Sequence, residues 1–115
     1  MTIDERPSGT AIVLDVDGRM TVEAMNERPL TVKVRRLLQE GQRRILLNLQ
    51  GVPYLDTTGI CDIVEAYVAT KRQGGSLKLL HAAAHVRAVL ATTRLLTILE
   101  AYDSESDAIA SFGPG

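Results

Sequence analysis

A chain of 115 residues, 45% apolar and 23% charged, has the length of one domain and the composition of a packed core rather than a disordered segment. Thirteen Lys and Arg against fourteen Asp and Glu leave a net charge of −1, with no Trp and one Phe, so neither the basic surplus nor the stacking platforms of a nucleic-acid binder are present. One cysteine, Cys61, excludes an intramolecular disulfide framework and a cysteine-based zinc site, and no apolar run approaches the roughly 18 residues of a membrane span.

The expectation is a single domain over 1–115, in the reducing cytosol, with no membrane insertion. Met1 to Arg6 carries Asp4 and Glu5 and no apolar run, so it does not read as a signal peptide. Ala11 to Val16 is β-branched and mostly apolar and reads as a buried strand. Thr2 to Arg6 is the segment to pair with it, through Pro7-Ser8-Gly9. After Asp17-Gly18 a helical stretch is expected from about Thr21 to Glu40, with Leu30, Val34, Leu37 and Leu38 on one face. Pro29 either breaks one helix or occupies the first turn of another. Gly41 is a natural stop.

Arg44 to Leu49 reads as a central strand whose apolar run suits burial on both faces. A second helix is expected from Thr57 to Arg72, with Ile60, Ile63, Val64, Tyr67 and Val68 as its apolar stripe. Gly74-Gly75 ends it, and Ser76 to Leu80 is the next strand. Ala84 to about Thr93 is a third helix, and Leu95 to Leu99 leads into a last short strand. Asp103 or Ser104 caps a final helix carrying Ala108, Ile109 and Phe112. Strands alternating with helices make an α/β domain.

The segment with chemical content is Tyr54-Leu55-Asp56-Thr57-Thr58-Gly59-Ile60. It follows a buried strand and opens an amphipathic helix, the carboxyl side of a sheet where ligands of open α/β folds bind. Asp56, Thr57 or Thr58 can serve as N-cap, because each offers a side-chain oxygen to the unpaired N–H groups of the first turn. The positive end of the helix favours a phosphate, a threonine there can accept one, and Gly59 lets a partner backbone come close. A plain capped helix reads the same way.

The run Leu46 to Ile60 resembles the STAS domain, the fold of bacterial anti-sigma factor antagonists. In that family an apolar strand ending in Asn-Leu leads through a loop to Asp-Ser-Ser-Gly or Asp-Ser-Thr-Gly at a helix start. Gly74 to Leu79 resembles the family's following turn and strand, Val86 to Leu90 with Leu95 to Ile98 its next helix and strand, and Asp103 to Ala110 its closing helix. Ala11 to Val16 with Gly18 is similar to the early strand and turn, so the likeness runs from about residue 10 to 112. It implies a mixed central sheet with helices packed mainly on one face.

It also implies a binding switch without catalytic residues or a cofactor. The antagonist binds a partner that is both anti-sigma factor and serine/threonine kinase, and frees a sigma factor for transcription. The kinase phosphorylates a hydroxyl directly after the Asp, and a phosphatase resets the protein. Carried over, Thr57 is the acceptor, with Thr58 as the alternative. Asp56, Thr57, Thr58, Gly59, Arg19 and Thr21 form the partner-binding set. A homodimer is compatible with this reading. An acidic turn common in relatives is Gly18-Arg19-Met20-Thr21 here, where Asp15 and Asp17 are the nearby acids that could substitute. The same resemblance allows a non-switching role, as an accessory subunit of a lipid-transport ABC system or a stressosome-like scaffold.

Other residues carry weaker signals. His81 and His85 are four apart, but no suitably spaced Cys, Asp or Glu completes a metal set, and no nucleophile–base pair supports an enzyme. Cys61 lies in the first turn of the second helix and reads as a packed thiol. Arg35-Arg36 with Arg43-Arg44 read as solvated helix-end residues rather than a basic patch.

Overall fold

The computed structural model describes residues 1–25 and 27–113. A two-residue turn at Gly9-Thr10, with Gly9 at φ +59°, folds β1 (Thr2–Ser8) back on β2 (Ala11–Asp17) as an antiparallel pair. From there every strand is parallel to its neighbour. β3 (Arg44–Gly51) lies beside β2, β4 (Ser76–Leu80) beside β3 and the two-residue β5 (Ala101–Tyr102) beside β4, so the sheet order follows the chain. The connections carry α1 (Pro29–Gln39), α2 (Thr57–Arg72) and α3 (Ala84–Thr92), and α4 (Glu105–Ser111) closes the described chain.

The apolar residues of the sheet divide between two cores. Leu14, Leu47 and Leu79 face α1, α2 and α3 together with Leu30, Val34, Ile63, Val86 and Leu90. Val13, Leu46 and Leu80 face the other way and pack against Ala108 of α4, with Ile109 and Phe112 at the edge. The expected mixed sheet with helices mainly on one face is thus the observed one, and the β3 run Ile45-Leu46-Leu47 is buried on both sides as its composition required.

Three details differ from the sequence reading. Pro29 sits at the first position of α1, so the stretch from Thr21 to Arg28 is loop rather than helix; Asn26 in that stretch lies outside the described residues. Pro29 cannot continue a helix from its N-terminal side but suits a first turn. Leu95 to Thr97 forms a 3₁₀ turn, and the last strand comes later, at Ala101–Tyr102. Arg94, at φ +62°, turns the chain there, and Leu95 and Leu96 pack against the core from the 3₁₀ turn rather than from a strand. Third, the buried stripe of α2 is Gly59, Asp62, Ile63, Ala66 and Thr70, while Val64 is half-buried and Val68 is 38% exposed.

The α4 face carries an ion-pair cluster. Arg6 donates to Asp15 and to Glu105, each at 2.7 Å, Ser8 donates to Glu105 at 2.7 Å, and Asn48 donates to Asp15 at 2.7 Å. The Arg6 guanidinium, then the Ser8 hydroxyl, draws the Glu105 carboxyl down to about 2, and Arg6 also lowers that of Asp15. Both acids are depressed on folding, so their contribution is whole above the unfolded range near pH 4.5 and fades as pH falls toward about 2. The urea midpoint is expected to drop across that window, and Glu105→Gln to flatten the drop. An unaltered acid limb in that variant would remove the cluster from the explanation.

Candidate functional site

The site is built where two loops at the carboxyl end of the sheet run side by side. Gly18 N–H donates to the Gly51 carbonyl at 2.9 Å, Met20 N–H to that of Tyr54 at 3.0 Å, and Asp56 N–H to that of Met20 at 3.1 Å. These bonds pair Met20 with Leu55 as a parallel bridge. Met20 and Leu55 are buried, so the junction is anchored by apolar packing as well as by backbone bonds.

Asp56 caps α2. Its backbone is extended, and Oδ1 accepts the Gly59 N–H at 3.2 Å. Oδ2 accepts the Val22 N–H at 3.0 Å, from the loop after β2. The Val22 N–H, followed by those of Gly59 and Thr58, holds the Asp56 carboxyl below the usual carboxylate range. The side chain is therefore anionic at neutral pH, and it joins the helix start to the neighbouring loop. Of the three cap candidates, Asp56 performs the role and both threonines are left free of it.

Gly59 makes the close approach possible. A Cβ there would collide with the Met20 carbonyl oxygen and lie 2.8 Å from Met20 Cβ. The Asp-Thr-Thr-Gly order thus has a division of labour: Asp56 caps, Gly59 admits the loop, and the two hydroxyls between them stand at the helix start. Thr57 is exposed and Thr58 is half-buried.

Around Thr57 the surface is more apolar than the sequence reading anticipated. Val22 is 60% exposed and Tyr54 is 46% exposed. Tyr54 stacks on His85 of α3, with ring centroids 5.1 Å apart and planes 17° from parallel. The stack was not legible in the sequence, because the His85 partner is 31 residues away in the chain.

Other expected site residues fall differently. Arg19 is exposed, but Thr21 is only 5% exposed, its carbonyl accepting the N–H groups of Ala24 and Met25. The exposed side chain next to it is that of Val22. Asp15 points to the α4 face in its Arg6 pair and is no substitute for the missing acid, whereas Asp17 is exposed. Arg36 pairs with Glu5 and Glu40, Arg43 with backbone carbonyls of Leu38 and Gln42, and Arg44 with Thr10, so these arginines are dispersed among separate partners. His81 takes φ +54° at the end of β4, Cys61 is half-buried, and among the described residues no group of three or more His, Cys, Asp or Glu is placed to hold a metal ion.

One residue escaped the sequence reading entirely. Asp62 is fully buried in α2 and accepts the N–H groups of Leu30 and Thr31 at 2.9 and 2.8 Å and the Thr31 hydroxyl at 2.6 Å. It caps α1 from another helix, since Arg28 at the α1 N-cap position makes no side-chain cap bond. The available signal was an acid at a position three residues after Gly59 and one before Ile63, on the stripe that turns inward.

No helix among the described residues is long and apolar enough to cross a membrane. No curated protein matches this chain. Solved structures do. An anti-sigma factor antagonist from Mycobacterium paratuberculosis superposes with TM-score 0.82 at 15% identity, over 96% of this chain and 92% of that one. The Bacillus cell fate determinant SpoIIAA in its phosphorylated form gives 0.71 at 16% identity, over 96% and 98%. A sulfate transporter family protein from Wolinella succinogenes gives 0.76 at 17% identity, over 90% and 85%. At these identities the likeness is one of fold. The family model for the STAS domain matches residues 3–108, nearly the whole chain. With that match and the Asp56-capped helix start at the sheet's carboxyl end, the chain belongs to the STAS domain family.

Proposed function

We propose that this protein is a cytoplasmic anti-sigma factor antagonist, switched by phosphorylation of Thr57. In its unmodified form it binds an anti-sigma factor that is also a serine/threonine kinase, and so releases a sigma factor for transcription. A phosphatase restores it after modification. The observation that carries this reading is the exposed Thr57 hydroxyl directly after an anionic Asp56, beside exposed Val22 and Tyr54.

The physical logic is local. Phosphate adds about −1.5 to −2 charges and bulky acceptor oxygens at neutral pH. Asp56 already holds a full charge there and both of its oxygens are engaged. The added dianion would therefore stand beside a fixed anion on a surface otherwise suited to apolar contact. The helix start stabilises it within the protein, while a docked partner meets repulsion and a desolvation cost. A misfit of about 3 kcal/mol weakens binding more than a hundredfold.

Incubation with the cognate kinase and ATP is expected to add one phosphate by intact mass, lost in Thr57→Ala and kept in Thr58→Ala. Thr57→Glu is expected to weaken the complex by at least about tenfold, or 1.4 kcal/mol. A phosphate that survives Thr57→Ala would move the acceptor to Thr58. A second reading is an accessory STAS subunit, either a stressosome-like scaffold or, in line with the fold shared with a sulfate transporter family protein, part of a lipid-transport ABC system. In that case a permease, and no kinase, would be recovered with the protein.

A further inference from the structure

The apolar spacing of α2 has residues left over. Val64 and Val68, expected to face the sheet, instead face a groove of about 500 Å3 between the second halves of α1 and α2. Leu38, Val64, Val68 and Ala69 give it an apolar lining. Arg35 stands on the α1 rim and Arg72 on the α2 rim.

The charge of the groove is one-sided. Its carboxylate, Glu65, is held by Arg28 at 3.3 Å. Arg36 and Arg87 likewise have acid partners. Among the described residues neither Arg35 nor Arg72 forms an ion pair. An apolar strip with a free guanidinium on each side is complementary to a helix that carries aliphatic side chains on one face and carboxylates along its flanks.

We infer that the α1–α2 groove docks an acidic amphipathic helix of a second partner protein. The occupant is not another copy of this chain, because its own acidic helix, α4, has Ala108 buried on the sheet and Glu105 committed to Arg6 and Ser8. The groove is also separate from the phosphoacceptor. Thr57 and Val68 are eleven residues apart on one helix, about 16 Å along its axis. Occupancy of the groove therefore leaves the Thr57 surface open, and one domain can hold two proteins.

The test uses the full chain and a fluorescein-labelled helical peptide with Leu at i, i+3, i+4 and i+7 and Glu on both flanks. Saturable anisotropy is expected at about 10 to 100 µM, with a loss of at least tenfold for the double variant Arg35→Glu/Arg72→Glu. Amide shifts in the bound state should centre on Leu38, Val64, Val68 and Ala69. Both arginines are on the surface, so the variant should melt as the parent does. Equal binding of the same peptide with Lys for Glu, equal binding by the double variant, or shifts centred elsewhere would each overturn the inference. So would displacement of the peptide by decanoate at similar affinity, which marks the groove as a site for a small amphiphilic anion, or concentration-dependent self-association abolished by the double variant, which marks it as a contact between copies. Because Thr57 takes no part, failure here leaves the phosphorylation switch standing, and the converse holds as well.

Discussion

Replacing Asp62 by alanine is expected to destabilise the domain by about 3 to 5 kcal/mol. The reason lies in where the donors would be left. Pro29 has no N–H, so the first amides of α1 that need an acceptor are those of Leu30 and Thr31, and both donate to Asp62. The Thr31 hydroxyl donates to the same carboxylate, and Thr31 itself is buried. Removing the carboxylate strands the two amides where water does not reach, at roughly 1 to 3 kcal/mol for each buried unsatisfied group and less than additively, while the Thr31 hydroxyl keeps the Asp62 backbone carbonyl at 3.0 Å. These two bonds are the cap of α1, so its loss is already contained in that figure. Asn at position 62 should fall between the two, since its carbonyl can accept while its NH2 must face an N–H. Against a typical total of 5 to 15 kcal/mol, the alanine variant would be near the edge of folding at body temperature. A thermal melt within a few degrees of the parent would show that α1 is held by its apolar face alone.

The same residue shows what kind of information the sequence carries. Leu30, Val34, Leu37 and Leu38 point α1 inward, and they do, because one helix face against a sheet is a local property read at a period of 3.6. For α2 the same periodicity selected Val64 and Val68 and was misleading. The inward stripe there is Gly59, Asp62, Ile63, Ala66 and Thr70; apart from Ile63, which the periodicity did select, these are small or polar groups that permit close approach of α1 and of the Met20 loop. Hydropathy cannot rank a glycine or a capping aspartate as interior. Their burial depends on a second segment some thirty to forty residues earlier, Met20 for Gly59 and Leu30-Thr31 for Asp62. At the candidate site the motif Asp56-Thr57-Thr58-Gly59 was visible, and with it the hydroxyl at the helix start. The Val22 contact to Asp56 and the Tyr54–His85 stack were not, because each joins a loop to the start of a helix that is brought beside it only by the fold.

Gly59→Ala separates the two roles of that motif. In an isolated helix the change would favour folding by about 1 kcal/mol, since alanine is the better helix former. Gly59 has no special backbone conformation to protect, so only space decides the sign. The new methyl meets the Met20 carbonyl oxygen and, at 2.8 Å, Met20 Cβ. A flexible side chain could swing away; this carbonyl cannot, because it accepts the Asp56 N–H while Met20 N–H is bonded to Tyr54. Relief therefore requires the loop after β2 to move off the helix start, breaking the parallel bridge and the Val22 bond to Asp56. A net loss of about 1 to 3 kcal/mol is expected, as for other overpacked sites. The accompanying signature is more specific than the stability change. The Val22 amide should exchange with solvent much faster, and the Asp56 carboxyl should titrate closer to its usual range once its largest stabilising donor has gone. Partner binding should fall together with these changes although Thr57 itself is untouched, because Val22 and Tyr54 would no longer be held beside it. An alanine variant as stable as the parent, with the Val22 amide still protected, would mean that the loop is not held by Gly59 and that the surface around Thr57 is assembled in some other way.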